Sequence, residues 1–263
     1  MMERTLIILT LNEIEGVQAL IPTLPANIAD EVLAVDGGST DGTVEFLQAR
    51  NIPVYAQTRR GRGEAFRVGM ANSMGKYVVF FSPDGNENPT DITRLFALLE
   101  AGADMAIASR FLPEARNEED DDPLPFRKWT NQAFTLLANL IWNRGRPWVS
   151  DTINGFRGIR REAFNRLAPA SLGYTIEYEL TIGAMRAGMV IAELPTIETG
   201  RIGGETKGPS LPTGMKFLRF FLSQLQYDLQ KNRYFWPYLV TLMVLLLIGL
   251  MFLRPWPRGS TRR

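Results

Sequence analysis

Short apolar runs and amphipathic stretches alternate along the N-terminal part of the chain. Five runs rich in β-branched and aromatic residues predict strands, at 5–11, 31–36, 52–57, 77–82 and 105–109. Apolar positions with helical spacing fall between them, at 15–24, 43–50, 64–74 and 90–101. Strands that alternate with helices in this way are typical of βαβ units. The pattern therefore predicts an α/β fold with a mostly parallel, Rossmann-like sheet and helices on both faces.

The alternation of strands and helices stops after Arg110. Residues 117–123 are strongly acidic and end at a proline, which predicts an exposed, solvated loop without a catalytic role. Helical spacing returns at 131–143, and residues 190–194 predict a last core strand. The glycines and the proline within 203–209 then mark the end of a globular domain that spans residues 1–210.

Two further apolar patterns follow this domain. Leu218, Leu222, Leu225 and Leu229 share one face of a predicted amphipathic helix over 211–233. Such a helix either lies on a membrane surface or docks on the globular domain. Residues 235–253 carry no charge and have aromatic residues near both ends, which predicts a single transmembrane helix. A basic tail, 254–263, comes after it.

The composition narrows the chemistry available to the domain. The chain has no histidine and no cysteine, which excludes disulfides, thiolate metal sites and the commonest general base. Its formal net charge of +1 does not suggest a nucleic-acid partner. The N-terminal sequence lacks the pattern of a signal peptide, so we expect the catalytic domain in the cytoplasm. Any catalysis must use carboxylates, amides, hydroxyls and basic side chains.

Two polar loops directly follow predicted strands. Residues 36–43 contain two aspartates among glycines and hydroxyl residues, and residues 82–89 contain Asp84, Asn86, Glu87 and Asn88. In open α/β sheets, ligands bind in the crevice outside the carboxyl ends of the strands. Carboxylate and amide oxygens there suit a divalent cation and the polar parts of a nucleotide. The loops therefore predict a site for a nucleotide diphosphate and its metal.

At this point the chain resembles the family-two glycosyltransferases with the GT-A fold, and within them the polyprenyl-phosphate branch typified by dolichol-phosphate mannose synthase. Seven motifs carry the resemblance in the right order: 10–13, 35–43, 60–65, 108–111, 151–157, 176–180 and 201–207. The resemblance implies inverting transfer of a sugar from a GDP- or UDP-linked donor to a polyprenyl phosphate at the cytoplasmic face of a membrane. An ionised phosphate needs no strong general base, which agrees with the absence of histidine.

The resemblance also implies roles for individual residues. The residues expected to bind the nucleotide sugar are Thr10, Asn12, Glu13, Asp36, Gly38, Ser39, Arg60, Gly61, Arg62 and Lys207. Those expected to hold the acceptor phosphate are Arg127, Lys128 and Arg201. The expected ligands of Mg²⁺ or Mn²⁺ are Asp84, Asn86 and Asn88, and the expected catalytic residues are Asp84, Asp151, Arg127 and Arg201.

The chain departs from the family pattern in the metal loop. The family usually has Asp-x-Asp-x-Gln there, whereas this chain has Asn86 in place of the second carboxylate. A hard cation accepts amide oxygens, but the lost charge predicts weaker binding of Mg²⁺ or Mn²⁺ without the nucleotide. We expect the substrate to supply the missing charge, because alternation along the loop turns Glu87 away from Asp84.

Two alternatives remain open at the level of the sequence. The first is a family member with a hydroxyl acceptor, a glycolipid or a glycan, for which Asp151 is the candidate base. The second is a non-catalytic membrane protein that binds nucleotide sugars, which Asn86 motivates. Either protein would be a single-pass membrane protein with a cytoplasmic domain, and a homo-oligomer is compatible with both.

Overall fold

The computed structural model describes residues 2–202, 210–231, 235–238, 240 and 241. The chain forms two compact units, Met1–Gly214 and Met215–Arg263. Lys207, the basic tail and most of the predicted transmembrane segment lie outside the described residues.

A seven-stranded sheet forms the centre of the first unit. Its strands are β1 (Arg4–Thr10), β2 (Glu31–Asp36), β3 (Val54–Ala56), β4 (Tyr77–Phe81), β5 (Met105–Ser109), β6 (Arg157–Arg160) and β7 (Ile191–Pro195). They lie in the order β3-β2-β1-β4-β6-β5-β7, and all pairs are parallel except those that β6 makes with β4 and β5. The prediction of a mostly parallel sheet is confirmed.

Helices connect the strands. The helices are α1 (Ile14–Leu20), α2 (Thr43–Gln48), α3 (Arg62–Ala71), α4 (Asp91–Glu100), α5 (Phe126–Trp142), α6 (Arg161–Leu167), α7 (Ile176–Ala187) and α8 (Ser210–Lys231). Helix α1 ends earlier than predicted, because Pro22 starts a 3₁₀ turn at Ile21–Thr23. Helix α5 begins before the predicted start at 131, which places Arg127 and Lys128 in its first turn.

Both faces of the sheet are covered by helices, as the continuous apolar strands predict. On one face, Leu6 and Ile8 of β1 belong to a buried cluster that includes Val17 of α1 and Leu95 of α4. On the other face, Phe66 of α3 stacks on Phe80 of β4, with ring centroids 3.9 Å apart. Alternate residues of the strands thus face α1 and α4 or face α3.

The strand directions bring several chain segments to one edge of the sheet. Thr10 pairs with Asp36 across β1 and β2, and Phe81 of β4 pairs with Ile8 of β1. The segments that leave these strands, and those that leave β5 and β7, therefore meet at the carboxyl edge. Because β6 runs antiparallel to its neighbours, the segment that enters β6 also begins there. The antiparallel β6 was not predicted from the sequence.

In the second unit, helix α8 continues to Lys231, and the predicted amphipathic segment is helical over its described part. Leu218 and Leu222 are exposed. Within the described part of the chain, no helix combines the length and hydrophobicity that crossing a membrane requires. The transmembrane helix predicted at 235–253 falls mostly on residues 242–253, which are not described, and it stays a prediction.

Candidate active site

Asp36 ends β2 and organises the loop that follows it. Its buried carboxylate accepts hydrogen bonds from the Thr10 hydroxyl at 3.0 Å and from the backbone N–H groups of Gly38 and Ser39, both at 2.8 Å. The Ser39 hydroxyl donates a further bond at 2.5 Å. Gly38 has a φ of 99°, a conformation that glycine adopts without strain. Asp36 therefore holds the predicted nucleotide loop in one conformation.

Asn12 joins this loop to the end of β1. Its side-chain oxygen accepts a hydrogen bond from the Thr40 backbone N–H at 2.9 Å, and its own N–H donates to the Ser39 hydroxyl at 2.8 Å. Asp41 accepts a bond from the Ile14 N–H at the start of α1, at 3.0 Å. The predicted nucleotide residues of β1 and β2 thus form one hydrogen-bonded unit at the sheet edge.

Arg201 lies between two carboxylates at the same edge. Its Nη1 donates to Asp84 Oδ2 at 2.8 Å, and its Nη2 donates to Glu13 Oε1 at 3.0 Å. The Arg201 Nε is buried and has no hydrogen-bond partner among the described residues. The guanidinium therefore forms an ion pair with Asp84, the carboxylate predicted to hold the metal. Its two terminal nitrogens are occupied by carboxylates, whereas the sequence predicted that Arg201 binds an acceptor phosphate.

The metal loop between β4 and α4 is fixed by its own backbone and by the segment after β7. Asp84 Oδ1 accepts a bond from the Asn86 N–H at 3.1 Å, and the Asp84 carbonyl accepts one from the Ile202 N–H at 2.8 Å. Gly85 has a φ of 95°, and a Cβ added there would lie 2.6 Å from Ile202. Asn88 Oδ1 accepts bonds from the Thr90 N–H and hydroxyl, so its oxygen is turned toward the start of α4.

Asn86 offers the clearest sign that a cation fits this loop. Its Oδ1 is buried and has no hydrogen-bond partner in the part of the chain that the structure describes. A buried acceptor without a partner costs about 1–3 kcal/mol, a cost that a coordinated cation would remove. The described residues contain no cluster of three or more carboxylates that could hold a metal. Asp84 and the Asn86 amide therefore fit a hard cation whose remaining charge a substrate diphosphate would balance.

The acidic loop is exposed over residues 120–123, as predicted, but its first residues contact the rest of the site. Asn117 is buried, and its side-chain amide donates to Glu198 Oε2 at 2.9 Å. Glu118 Oε2 accepts a hydrogen bond from Asn86 Nδ2 at 2.9 Å. The loop therefore contacts the metal loop through this bond.

The same loop neutralises the two cations predicted to bind the acceptor phosphate. Arg127 forms ion pairs with Glu118 and with Glu119, the latter at 3.1 Å. Lys128 forms an ion pair with Asp120 and donates its backbone N–H to Glu119 at 2.8 Å. A phosphate would therefore have to displace carboxylates to bind either cation.

Asp151 lies before β6 and is completely buried. Its carboxylate accepts bonds from Arg110 Nε and Nη2 at 2.7 and 3.0 Å, and from the N–H groups of Ile153 and Asn154 at 3.2 and 3.0 Å. Burial alone would raise the pKa of Asp151, but the Arg110 guanidinium and these hydrogen bonds lower it below its ordinary value. An ionised carboxylate with a low pKa and no free access is a weak general base.

Arg110 and Glu198 complete the charged edge, and the sequence did not identify them as site residues. Arg110 Nη1 lies 3.6 Å from Glu198 Oε1. Burial raises the pKa of the Glu198 carboxyl, although Arg110 opposes that shift. Both residues follow the carboxyl end of a strand, Arg110 after β5 and Glu198 after β7, and this position was the signal that could have revealed them.

The basic glycine-rich turn contributes one partly buried and one exposed arginine. Arg62 forms an ion pair with Glu177 of α7 and donates to the Ser82 hydroxyl at 3.2 Å, whereas Arg60 is exposed. Gly61 has a φ of 142°, and a Cβ there would lie 2.1 Å from the Leu172 carbonyl oxygen. Glu87 accepts a bond from the Ser82 N–H at 2.7 Å and lies 4.0 Å from Arg62. Arg62 thus ties the turn to β4 and α7.

The geometry gathers a charged, partly buried edge suited to phosphate groups and a cation. Residues 5–168 match the family described as Glycosyl transferase family 2. The chain belongs to this family. The sequence-based assignment to the family-two glycosyltransferases is therefore confirmed, and the protein is a glycosyltransferase. The roles proposed for individual residues stay predictions.

Relatives of this glycosyltransferase include another glycosyltransferase and a polyprenol monophosphomannose synthase. It is 27% identical over 220 residues to glycosyltransferase AglJ of Haloferax volcanii, with 81% of this chain and 69% of AglJ covered. It is 28% identical over 223 residues to polyprenol monophosphomannose synthase of Mycolicibacterium smegmatis, with 78% of this chain and 81% of the relative covered.

A solved structure of similar fold is glucosyl-3-phosphoglycerate synthase from Mycobacterium tuberculosis in complex with Mn²⁺, uridine diphosphate and phosphoglyceric acid. The TM-score is 0.64 at 25% identity, and the match covers 84% of this chain and 78% of that chain. Another structure of the same enzyme contains Mg²⁺ and uridine diphosphate. The sheet of the present chain thus has the architecture of a known glycosyltransferase.

Proposed function

We propose that this glycosyltransferase moves a sugar, with inversion, from a nucleotide-diphosphate sugar to a polyprenyl phosphate at the cytoplasmic face of a membrane. The similarity to polyprenol monophosphomannose synthase supports a lipid phosphate as the acceptor class. The donor is a GDP- or UDP-linked sugar.

The observation that carries this proposal is the surface at the start of α5. Leu124, Phe126 and Trp129 are exposed by 61%, 65% and 49% of their areas. Arg127 and Lys128, the two cations expected to hold a phosphate, lie between Phe126 and Trp129 in the sequence. Large apolar side chains exposed together are typical of membrane or partner surfaces, and aromatic residues favour the membrane–water boundary. A phosphate joined to a hydrocarbon chain could contact both the cations and the apolar side chains of this surface.

The state of Asp151 also favours a phosphate acceptor. A hydroxyl acceptor needs a base to remove its proton, and the candidate is Asp151. That carboxylate is buried against Arg110 and has a lowered pKa. A phosphate monoester is ionised at neutral pH, with a second pKa of about 6. It therefore attacks without a base, and positioning by the basic residues accounts for the rest.

The donor site is the edge formed by the loops after β1, β2 and β4. Asp84 and Asn86 would hold Mg²⁺ or Mn²⁺, which when bound offsets the charge that develops on the diphosphate leaving group. The loop that Asp36 organises presents backbone and hydroxyl groups to the nucleoside. Arg201, which bridges Glu13 and Asp84, neutralises both carboxylates and lies where it can contact the donor diphosphate.

The C-terminal segments supply the membrane attachment of the proposal. We propose that the apolar face of α8, marked by exposed Leu218 and Leu222, lies on the bilayer surface, and that residues 235–253 cross the bilayer once. A lipid phosphate in the adjacent leaflet would then be within reach of the cytoplasmic domain.

A second candidate is transfer to a small, soluble acceptor that carries a phosphate or a hydroxyl. The similarity in fold to glucosyl-3-phosphoglycerate synthase, crystallised with phosphoglyceric acid, favours it. The names of the two relatives described above, a glycosyltransferase and a synthase, argue against the non-catalytic alternative.

A donor and acceptor screen tests the proposal. Membranes containing the protein are incubated with radiolabelled UDP- and GDP-sugars, together with either a polyprenyl phosphate or phosphoglyceric acid. We expect radiolabel in the organic phase only with the polyprenyl phosphate, and its loss in Asp84→Ala. A water-soluble labelled product with phosphoglyceric acid, and none in the organic phase, would select the second candidate.

A further inference from the structure

The orientation of the Asn86 amide is fixed from outside the metal loop. Its Nδ2 donates to Glu118 Oε2 at 2.9 Å, and its Oδ1 is buried without a partner among the described residues. The reverse orientation would place the amide oxygen against a carboxylate oxygen, two acceptors with no hydrogen between them. Glu118 therefore decides that the oxygen of Asn86, and not its NH₂ group, is the free end.

The Glu118 carboxylate also brings a negative charge into contact with the amide. A carboxylate that accepts a hydrogen bond from a metal ligand orients that ligand and makes its donor atom more basic. The side chain of Glu118 is 24% exposed, so solvent screens its charge only in part. An amide oxygen binds a cation more weakly than a carboxylate oxygen does. The negative charge of Glu118 beside the Asn86 amide offsets part of that difference in affinity.

We propose that Glu118 is a positioning residue of the cation site. It keeps Asn86 Oδ1 free to bind Mg²⁺ or Mn²⁺, and it places a carboxylate, which it shares with Arg127, beside the amide that replaces the second carboxylate of the metal loop. This inference rests on the proposed function only for the presence of the cation and the nucleotide. It does not depend on the acceptor.

Glu119 provides a matched control on the same loop. Like Glu118 it forms an ion pair with Arg127, but its other bond goes to the Lys128 backbone N–H. Of these two glutamates, only Glu118 contacts Asn86 within the described part of the chain. Each substitution takes one carboxylate partner from Arg127, and only the change at Glu118 also affects the contact with Asn86.

The test measures Mn²⁺ affinity directly. MnCl₂ is titrated into the full-length protein with saturating UDP or GDP, and free Mn²⁺ is followed by electron paramagnetic resonance. We expect Glu118→Gln to weaken Mn²⁺ binding on the order of tenfold, as loss of an outer partner does at other metal sites. Glu118→Ala, which also loses the acceptor for Nδ2, should weaken it further, and Glu119→Gln should stay within about twofold of the wild type.

Thermal unfolding of each variant checks that the fold survives, and the isosteric Glu118→Gln variant carries the result if Glu118→Ala unfolds. Equal Mn²⁺ affinity in Glu118→Gln and the wild type would overturn the inference while leaving the proposed function intact. An equal loss in Glu118→Gln and Glu119→Gln would also overturn it.

If the wild type binds no Mn²⁺ with either nucleotide, both the inference and the proposed donor chemistry fail. Failure of polyprenyl phosphate as an acceptor would affect the proposed function alone.

Discussion

At the scale of single residues, the site is built from carboxylates whose partners differ. Asp36 is surrounded by hydrogen-bond donors, Asp151 is held by Arg110, and Asp84 shares its charge with Arg201. We therefore expect three aspartates near one sheet edge to have different tasks: shaping a loop, anchoring a buried arginine and binding a cation. Substitution should separate these tasks.

Arg201→Ala should have opposite effects on two measurements. Without the guanidinium 2.8 Å from Asp84, that carboxylate is free, and Mn²⁺ affinity measured without nucleotide should rise several-fold. Transfer should fall, because the variant loses about 2–4 kcal/mol of stabilisation of the developing diphosphate charge. Lysine should restore transfer only in part, since it lacks the planar fork that reaches Glu13 and Asp84 together. Unchanged Mn²⁺ affinity in Arg201→Ala would contradict this role.

Asp36→Ala should abolish detectable binding of the nucleotide by calorimetry. The carboxylate accepts four hydrogen bonds, and a bond to a charged group contributes about 1.5–3 kcal/mol. Asp41→Ala is the comparison, because Asp41 ties the loop to α1 and Thr43 and its loss should only loosen the loop. Nucleotide affinity that survives in Asp36→Ala would remove Asp36 from the donor site.

At the scale of elements, the strand ends were predictable and the crossing contacts were not. Asp36 and Asp84 follow runs that read as buried parallel strands, so their meeting at one edge follows from the strand direction alone. The contact between Glu118 and Asn86 joins positions 32 residues apart. Local periodicity carries no information about such a contact.

Strand β6 escaped prediction for a related reason. It is short and carries an arginine at each end, which reads as a polar segment. The Arg157 side chain is nevertheless completely buried, because it donates to the carbonyls of Asn154 and Glu177 and to the Thr181 hydroxyl. A buried charge that tertiary contacts satisfy cannot be recognised from composition.

The acidic loop should compete with the acceptor phosphate. In Glu119→Gln combined with Asp120→Asn, Arg127 and Lys128 lose carboxylate partners, so the KM for polyprenyl phosphate should fall several-fold. Asp122→Asn is the matched control, because the Asp122 carboxylate makes no ion pair with the described residues. Steady-state kinetics at varied acceptor concentration checks this, and an unchanged or higher KM in the double variant would show that the loop does not screen these cations.

Helix α8 should bind anionic membranes without the segment that follows it. A chain of residues 1–233 should float with anionic liposomes in low salt, because the leucine face enters the headgroup boundary while Lys216 and Arg219 meet anionic lipid. The combined change Leu218→Glu and Leu222→Glu, at two exposed positions, should prevent flotation. A truncated chain that stays at the bottom of the gradient would mean that α8 packs on the globular domain instead of binding the membrane.

At the scale of the whole molecule, we propose that the transferase domain acts at a membrane surface on a lipid that carries its own nucleophile. Three features favour an acceptor with a phosphate at one end and a hydrocarbon chain at the other. They are the exposed aromatic and basic surface of α5, the weak basicity of Asp151 and the amphipathic helix α8. The central claim is therefore that the phosphate of the lipid, and not a hydroxyl, attacks the sugar.

The most direct test compares two acceptors that differ only in that group, a polyprenyl phosphate and the polyprenol of the same length, in the same detergent with the preferred radiolabelled nucleotide sugar. We expect labelled lipid from the polyprenyl phosphate alone, with kcat/KM lowered about 30-fold to 1,000-fold in Arg127→Ala, the equivalent of about 2–4 kcal/mol. Efficient transfer to the polyprenol that Asp151→Asn eliminates, with the polyprenyl phosphate inert, would contradict the account.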